Sequence, residues 1–453
     1  MTRSATPSVS RGRRATAAAF VGTAIEWYDF YIFGTAAALV LGQVFYPHAA
    51  PGAGLLASFA TFWVGFLARP VGGMIFSHFG DRFGRRTTLI TTLVMMGLAT
   101  MCIGLLPGYA QIGVAAPILL VVLRAVQGLA VGGEWGGAVV LATENAEAGK
   151  RGLAGTWVQQ GSPAGSILAT LSFLGVGLLD DDSFLAWGWR IPFLASAVLV
   201  VFALIVRLKV EESQEFTNAR AHNEVVKAPL AEVFRSSRRV VFAGIFAAVL
   251  GISIAYFTNT FLLAWTTEKF DIDRRLMLNV LLGVAVLQFV AQPLAARIAE
   301  RVGARRVMIG GLLWVIVLAA PLFFAIQAGN VGLLAIMLAL TTLGGSAYYA
   351  LLATALANAF PVHVRYTGVS IAYQFCATIF GGSTPLIAQW VLNATGNAWA
   401  VMTVYLGIAA ITVAGVWWLA RLTPLPPQPK PDRTAAMSRP AFHAETTERQ
   451  APA

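Results

Sequence analysis

Along this chain, continuous apolar runs of about twenty residues, the length that crosses a hydrocarbon core, alternate with short polar turns. The runs do not alternate apolar with polar, so they predict membrane helices and not the strands of a barrel. Twelve helices are expected, near 17–41, 55–78, 87–106, 115–140, 153–178 and 189–208, then 240–265, 276–298, 307–328, 332–355, 367–392 and 398–420. The longest internal polar stretch, 209–239, divides them six and six. The expected organisation is an N-tail (1–16), a six-helix bundle (17–208), a linker (209–239), a second six-helix bundle (240–420) and a C-tail (421–453). That tail is rich in proline and polar residues and is expected to be disordered.

The two halves echo one another. SHFGDRFGRR at 77–86 returns in weakened form as ARIAERVGAR at 296–305, with Asp81 on Glu300, Arg82 on Arg301, Gly84 on Gly303 and Arg86 on Arg305. At a similar offset Arg151 falls on Arg365 and Gln160 on Gln374. A duplicated membrane protein with halves related about the membrane normal, and a site between them, is a transporter arrangement. The fold class expected is an all-α polytopic membrane protein of twelve helices in two pseudo-symmetric bundles.

Composition agrees. Hydrophobic residues make up 57% and charged residues 12%, against about 25% charged in soluble domains. Mean hydropathy is +0.70. The net charge of +11 does not predict nucleic-acid binding, because the basic residues fall in alternate connections and form no single patch. That bias predicts cytoplasmic tails in a bacterial-type inner membrane. Cys102 and Cys376 both lie in apolar runs and read as core residues. Arg11, Arg13 and Arg14 precede an apolar run as in a secretion signal, but Glu26 and Asp29 within it mark a permanent span.

Ionisable residues inside spans are costly and mark function by default. Glu26 and Asp29, three residues apart, share a helix face. Two neighbouring carboxylates in low dielectric do not readily both ionise, which suits proton carriage. The alternative is that one simply pairs with a basic residue to hold helices together. Arg124, with Gln127 one turn on, is the expected partner of Asp29 or of a substrate carboxylate. Arg69 and Glu134 are expected as a gating pair. Gln159, Gln160, Tyr256, Asn259, Gln288, Gln292, Tyr348, Tyr349, Tyr373 and Gln374 are polar candidates for the cavity lining. Trp27, Tyr28 and Tyr31 offer a rival, an aromatic cage for a quaternary ammonium. No phosphate-cradling GxxxxGK[ST] loop occurs, and five scattered histidines make no metal cluster, so an ATP-driven pump and a metal enzyme are not expected.

The loop GDRFGRR and the segment RAVQG resemble the major facilitator superfamily. GTAIEWYDFYIFG (22–34), RAVQGLAVGGEWGGA (124–138), WGWRIPF (187–193) and FPVHVRYTG (360–368) narrow the resemblance to its metabolite:H⁺ symporters, with features similar to shikimate/H⁺ symporters. Ser77, Gln214 and Asn358 depart from the usual pattern. The resemblance implies proton-coupled import of a small carboxylate by alternating access. No cofactor is implied beyond the proton gradient, and the partners are the metabolite, H⁺ and the lipid bilayer. A functional monomer is expected. It also implies that Asp81, Arg82, Arg85 and Arg86, with Glu300 and Arg301 opposite, form a gate. The alternatives are a proline or glycine betaine symporter, or a drug/H⁺ antiporter. The antiporter is disfavoured because Ser162 separates Gly161 from Pro163 where exporters carry Gly-Pro.

Overall fold

The computed structural model describes residues 9–50, 52–83, 85–132, 139, 151–208, 229–361 and 364–423. Among these there is no strand. Twelve long helical segments follow in order. The first six are α1 (Val9–Leu39), α2 (Ala53–Leu67 and Arg69–Phe83), α3 (Arg85–Leu105), α4 (Ala115–Val131), α5 (Arg151–Gln159 and Gly161–Val176) and α6 (Arg190–Leu208). The others are α7 (Pro229–Tyr256, Phe257–Leu262 and Leu263–Lys269), α8 (Arg274–Val302), α9 (Ala304–Val317 and Ala319–Gln327), α10 (Val331–Ala359), α11 (Arg365–Cys376, Ala377–Gly381 and Ser383–Thr395) and α12 (Ala398–Leu422). Residues 209–228 of the linker, the tail beyond 423 and the side chains of Asp81, Arg82, Arg85 and Arg86 lie outside the described residues.

Helices α2 and α7 to α12 are each long and apolar enough to cross a membrane, and α6 joins them when taken with its lead-in, bent by 43°. α1 is less apolar because Glu26, Asp29 and three aromatic amphiphiles share its centre. The surface is oily and the polarity is inside. Ile118, Leu119 and Val122 on α4 and Val198, Val201 and Phe202 on α6 are exposed. Glu26, Asp29, Arg69 and Arg124 are buried.

The packing repeats between halves. α1 meets α5 and α6, α3 meets α4 and α6, and α2 meets α4. In the second half α7 meets α11 and α12, α9 meets α10 and α12, and α8 meets α10. The halves join symmetrically as well, α5 against α8 and α2 against α11, with α1 facing α7. Hydrogen bonds tie these seams. Trp63 Nε1 donates to the Thr378 carbonyl (2.7 Å), and Thr378 Oγ1 returns to the Phe66 carbonyl (2.8 Å). Gln160 Nε2 donates to the Phe289 carbonyl (2.9 Å), and Thr156 Oγ1 to that of Ala350 (3.0 Å).

Close approach of α2 and α4 positions the centre. A methyl group built at Gly128 would collide with the Gly65 carbonyl, and one at Gly72 with the Leu129 carbonyl. Small residues permit such contact in membranes, where packing replaces the hydrophobic effect between helices. Gly128→Val should therefore cost about 1–3 kcal/mol through overpacking and lower the melting temperature in detergent. Gly310→Val, at an exposed glycine with open space around it, should leave the melting temperature unchanged. Equal effects would mean that the α2–α4 contact carries no special constraint.

Candidate functional site

The two acids of α1 go to different neighbours. Asp29 is fully buried and turns into the first bundle, where Oδ1 accepts from Ser196 Oγ of α6 (2.6 Å) and Oδ2 from Thr100 Oγ1 of α3 (2.9 Å). Glu26, also buried, lies in electrostatic reach of Tyr256, Tyr349 and Tyr373 in the second half. The shared face thus resolves into one acid inside a bundle and one looking across the interface.

Arg124 does not pair directly with Asp29; among the described residues no carboxylate stands within ion-pair distance of it. A hydrogen-bonded relay joins them instead. Arg124 Nη1 donates to Gln127 Oε1, Gln127 Nε2 donates to Thr100 Oγ1 (2.8 Å), and Thr100 reaches Asp29. The expected direct pair of Arg124 and Asp29 gives way to this relay because position along a helix does not fix direction around its axis. Thr100 and Ser196 carried no sequence signal, since threonines and serines in spans commonly bond their own helix backbone.

Aromatic faces hold the two arginines. The Arg124 guanidinium carbon lies 4.4 Å from the centre of the Phe30 ring, 4.2 Å from Phe33 and 5.1 Å from Phe62. That of Arg69 lies 4.0 Å from Phe30 and 4.4 Å from Phe66. Cation–π attraction strengthens when the cation is desolvated, as both are here. Gly65 leaves the room Arg124 needs, because a methyl there would meet its guanidinium. Glu134, the expected partner of Arg69, lies outside the described residues.

Tyr256, at the break in α7, closes the centre from the other half. Its ring packs on Phe62 (5.1 Å), Phe66 (5.2 Å), Trp27 (5.9 Å) and Tyr31 (6.1 Å). The expected cage of Trp27, Tyr28 and Tyr31 does not form. Trp27 and Tyr31 stack on each other at 5.4 Å, whereas Tyr28 points away and donates to the Pro192 carbonyl (2.8 Å). Successive residues on a helix point in different directions, so Tyr28 cannot join its neighbours.

The remaining polar candidates line the interface. Tyr31 and Ser162 hydroxyls lie 3.0 Å apart, and Ser166 Oγ donates to Asn259 Oδ1 (3.3 Å). Gln159 Nε2 donates to the Tyr349 carbonyl (3.3 Å), and the Tyr349 and Tyr373 hydroxyls stand 3.4 Å apart. Gln292 and Gln374 are buried, Gln288 half-buried. Tyr348 instead donates to the Ala247 carbonyl within the second bundle. Glu300 and Arg301 are exposed at the end of α8, with no ion pair among the described residues.

On the opposite face, Arg274 at the start of α8 grips the connection between α5 and α6. It pairs with Asp181 (2.7 Å), donates to the Leu179 carbonyl (3.1 Å) and covers the Phe184 ring at 4.1 Å.

Comparison with known proteins agrees with this architecture. Residues 15–233 match the family "Sugar (and other) transporter" and residues 246–449 match "Major Facilitator Superfamily". The chain is 39% identical to the shikimate transporter of Escherichia coli K12 over 88% of this chain and 92% of that one. It is 32% identical to the proline/betaine transporter of Salmonella typhimurium LT2, over 84% and 78%. The xylose transporter XylE of E. coli, in a partially occluded inward-open conformation, superposes with a TM-score of 0.72 at 16% identity, covering 91% of this chain and 98% of that one. Duplicated six-helix bundles, buried charges at their interface and full-length relatives together make this chain a member of the major facilitator superfamily, a multi-pass membrane transporter of small molecules.

Proposed function

We propose that the protein imports a small carboxylate, shikimate-like, together with protons, by alternating access, from an inner membrane with both tails in the cytoplasm. The observation that carries this reading is the relay from the buried Asp29 through Thr100 and Gln127 to Arg124. Thr100 has one hydroxyl proton and two acceptors, Asp29 Oδ2 and the Met96 carbonyl, both at 2.9 Å. With Asp29 ionised, the hydroxyl donates to the carboxylate. With Asp29 protonated, the acid donates to Thr100, whose proton turns to Met96. Proton loading at Asp29 thereby reverses its bond with Thr100, the hydroxyl that also accepts from Gln127, the hydrogen-bond partner of Arg124. Arg124 Nη2 has no hydrogen-bond partner among the described residues, and its fork suits a carboxylate.

The relatives named proline/betaine transporters support a second reading. The site favours the first, because Trp27, Tyr31 and Tyr256 pack on one another instead of standing open as a cage, and Phe30 and Phe33 already face the protein's own guanidiniums.

Three outcomes follow. Proteoliposomes with an imposed inward proton gradient should accumulate labelled shikimate, and a protonophore should abolish the accumulation. Uptake indifferent to the protonophore would sink the symport reading. Asp29→Asn should reduce gradient-driven uptake to the level of pH-equilibrated vesicles while shikimate exchange persists; wild-type accumulation would remove Asp29 from coupling. Arg274→Ala should release the outer clasp, and a loss of about 1 kcal/mol would shift the open–closed population roughly fivefold. Faster labelling of a Thr260→Cys reporter from outside, in a background lacking Cys102 and Cys376, measures that shift. Unchanged labelling would show that the clasp holds no gate.

A further inference from the structure

We propose that Arg69 is a second substrate-binding guanidinium, and that the pair Arg69–Arg124 sets the class of substrate: a net anion is accepted and a zwitterion is refused. This deepens the carboxylate reading above and rests on it.

Arg69 and Arg124 are both more than nine-tenths buried and come from different helices to one ring, that of Phe30. Among the described residues neither has a carboxylate within ion-pair distance. Buried donors remain open on each, Nε of Arg69 and Nη2 of Arg124. A buried guanidinium needs an anion or a full set of acceptors, and aromatic faces satisfy only part of that need. Two of them on one ring repel each other as well. An anion reached by the open donors of both would relieve the repulsion and satisfy those donors together.

The spacing of the pair is built into the backbone. Gly65, Gly72, Gly128 and Gly132 bring α2 and α4 into contact, and the Arg69 carbonyl would itself be struck by a methyl at Gly132. The two guanidiniums are thus held on adjoining backbones that cannot spread without losing that contact. From the second half, Tyr256 lies in electrostatic reach of both arginines and packs on Phe62 and Phe66 beside them. Its ring and hydroxyl close the seat when the halves meet.

This arrangement discriminates by charge. A carboxylate gains from both cations. A zwitterion such as glycine betaine brings a cationic end into a seat that already holds two, where Phe30, Phe33, Phe62 and Phe66 are committed to arginine. Sequence depth alone had placed Arg69 with Glu134 as a gate. The shared Phe30 ring assigns it to the centre.

Equilibrium binding to the purified full-length chain at one fixed pH, with no gradient, tests this apart from proton coupling. The probes are shikimate, lactate, succinate and benzoate, each beside its neutral methyl ester, together with glycine betaine. The wild type should bind at least one carboxylate and prefer it to its ester by about a hundredfold, since a site built for a charged group leaves buried donors unpaired without it. Arg69→Gln should cut that preference about tenfold or more, and Arg69→Lys, which keeps the charge but loses the fork, should retain part of it. A purely structural or gating Arg69 would lower stability or turnover but leave the acid-to-ester ratio unchanged in both variants, and that result would overturn the proposal. If Arg69→Gln does not fold, the ratio in Arg69→Lys and the wild-type preference for carboxylate over betaine decide. Betaine binding as tight as any carboxylate overturns the proposal while leaving symport intact. Binding of no carboxylate in the panel overturns both the proposal and the reading beneath it.

Discussion

Two guanidiniums buried at the middle of an apolar bundle are the constraint on which the rest of the centre depends. A charge there is tolerated only with compensation, and among the described residues Arg69 and Arg124 receive it from ring faces, a glutamine and the Phe62 carbonyl, with no carboxylate at ion-pair distance. The phenylalanines of α1 and α2 are placed to supply those faces. The glycines of α2 and α4 are placed to let the backbones close around them. Removing a direct acid partner leaves the arginines open to a ligand, which a permanent ion pair would not.

That arrangement also frees Asp29. An acid locked against Arg124 would have to break an ion pair in a low-dielectric medium before taking a proton. Held by the hydroxyls of Ser196 and Thr100, it exchanges donors by hydroxyl rotation alone. In the proposed symport the proton would change the Asp29–Thr100 bond, one buried hydroxyl away from the Gln127–Arg124 contact. Such rearrangements are small, but the packed halves around them move as rigid bodies, and alternating access needs only that one arrangement be favoured over the other.

The fold was largely legible in the sequence, because a membrane demands apolar runs of a set length and duplication left the Asp81 and Glu300 turns in register. The charged residues of the site were legible for the same reason: Glu26, Asp29, Arg69 and Arg124 stand out where charge is expensive. Their partners were not. Thr100 and Ser196 come from helices far along the chain and look like any span hydroxyl, and Phe30 looks like any core ring. The sequence offers Arg124 as a partner for Asp29, but the direction each side chain takes depends on helix rotation, which no local pattern records. The same blindness put Tyr28 in a cage that its position on α1 forbids.

The halves share architecture but not chemistry. Every buried charge among the described residues lies in the first bundle, on α1, α2 and α4. The second bundle brings Tyr256, Asn259 and Tyr349 to the interface, all neutral. This division has a physical consequence for a rocking machine. If both halves carried buried charges, each closure would have to desolvate a second charged surface, and that penalty can exceed the attraction gained. With the charges gathered on one side, their desolvation is fixed by the fold of that bundle. Under the proposed carboxylate reading the other half would close over the anion with neutral donors and rings, whose desolvation costs far less. Duplication supplied the symmetric seams of α5 with α8 and α2 with α11, and the unequal distribution of buried charge across them would lower the cost of opening and closing those seams in the proposed cycle.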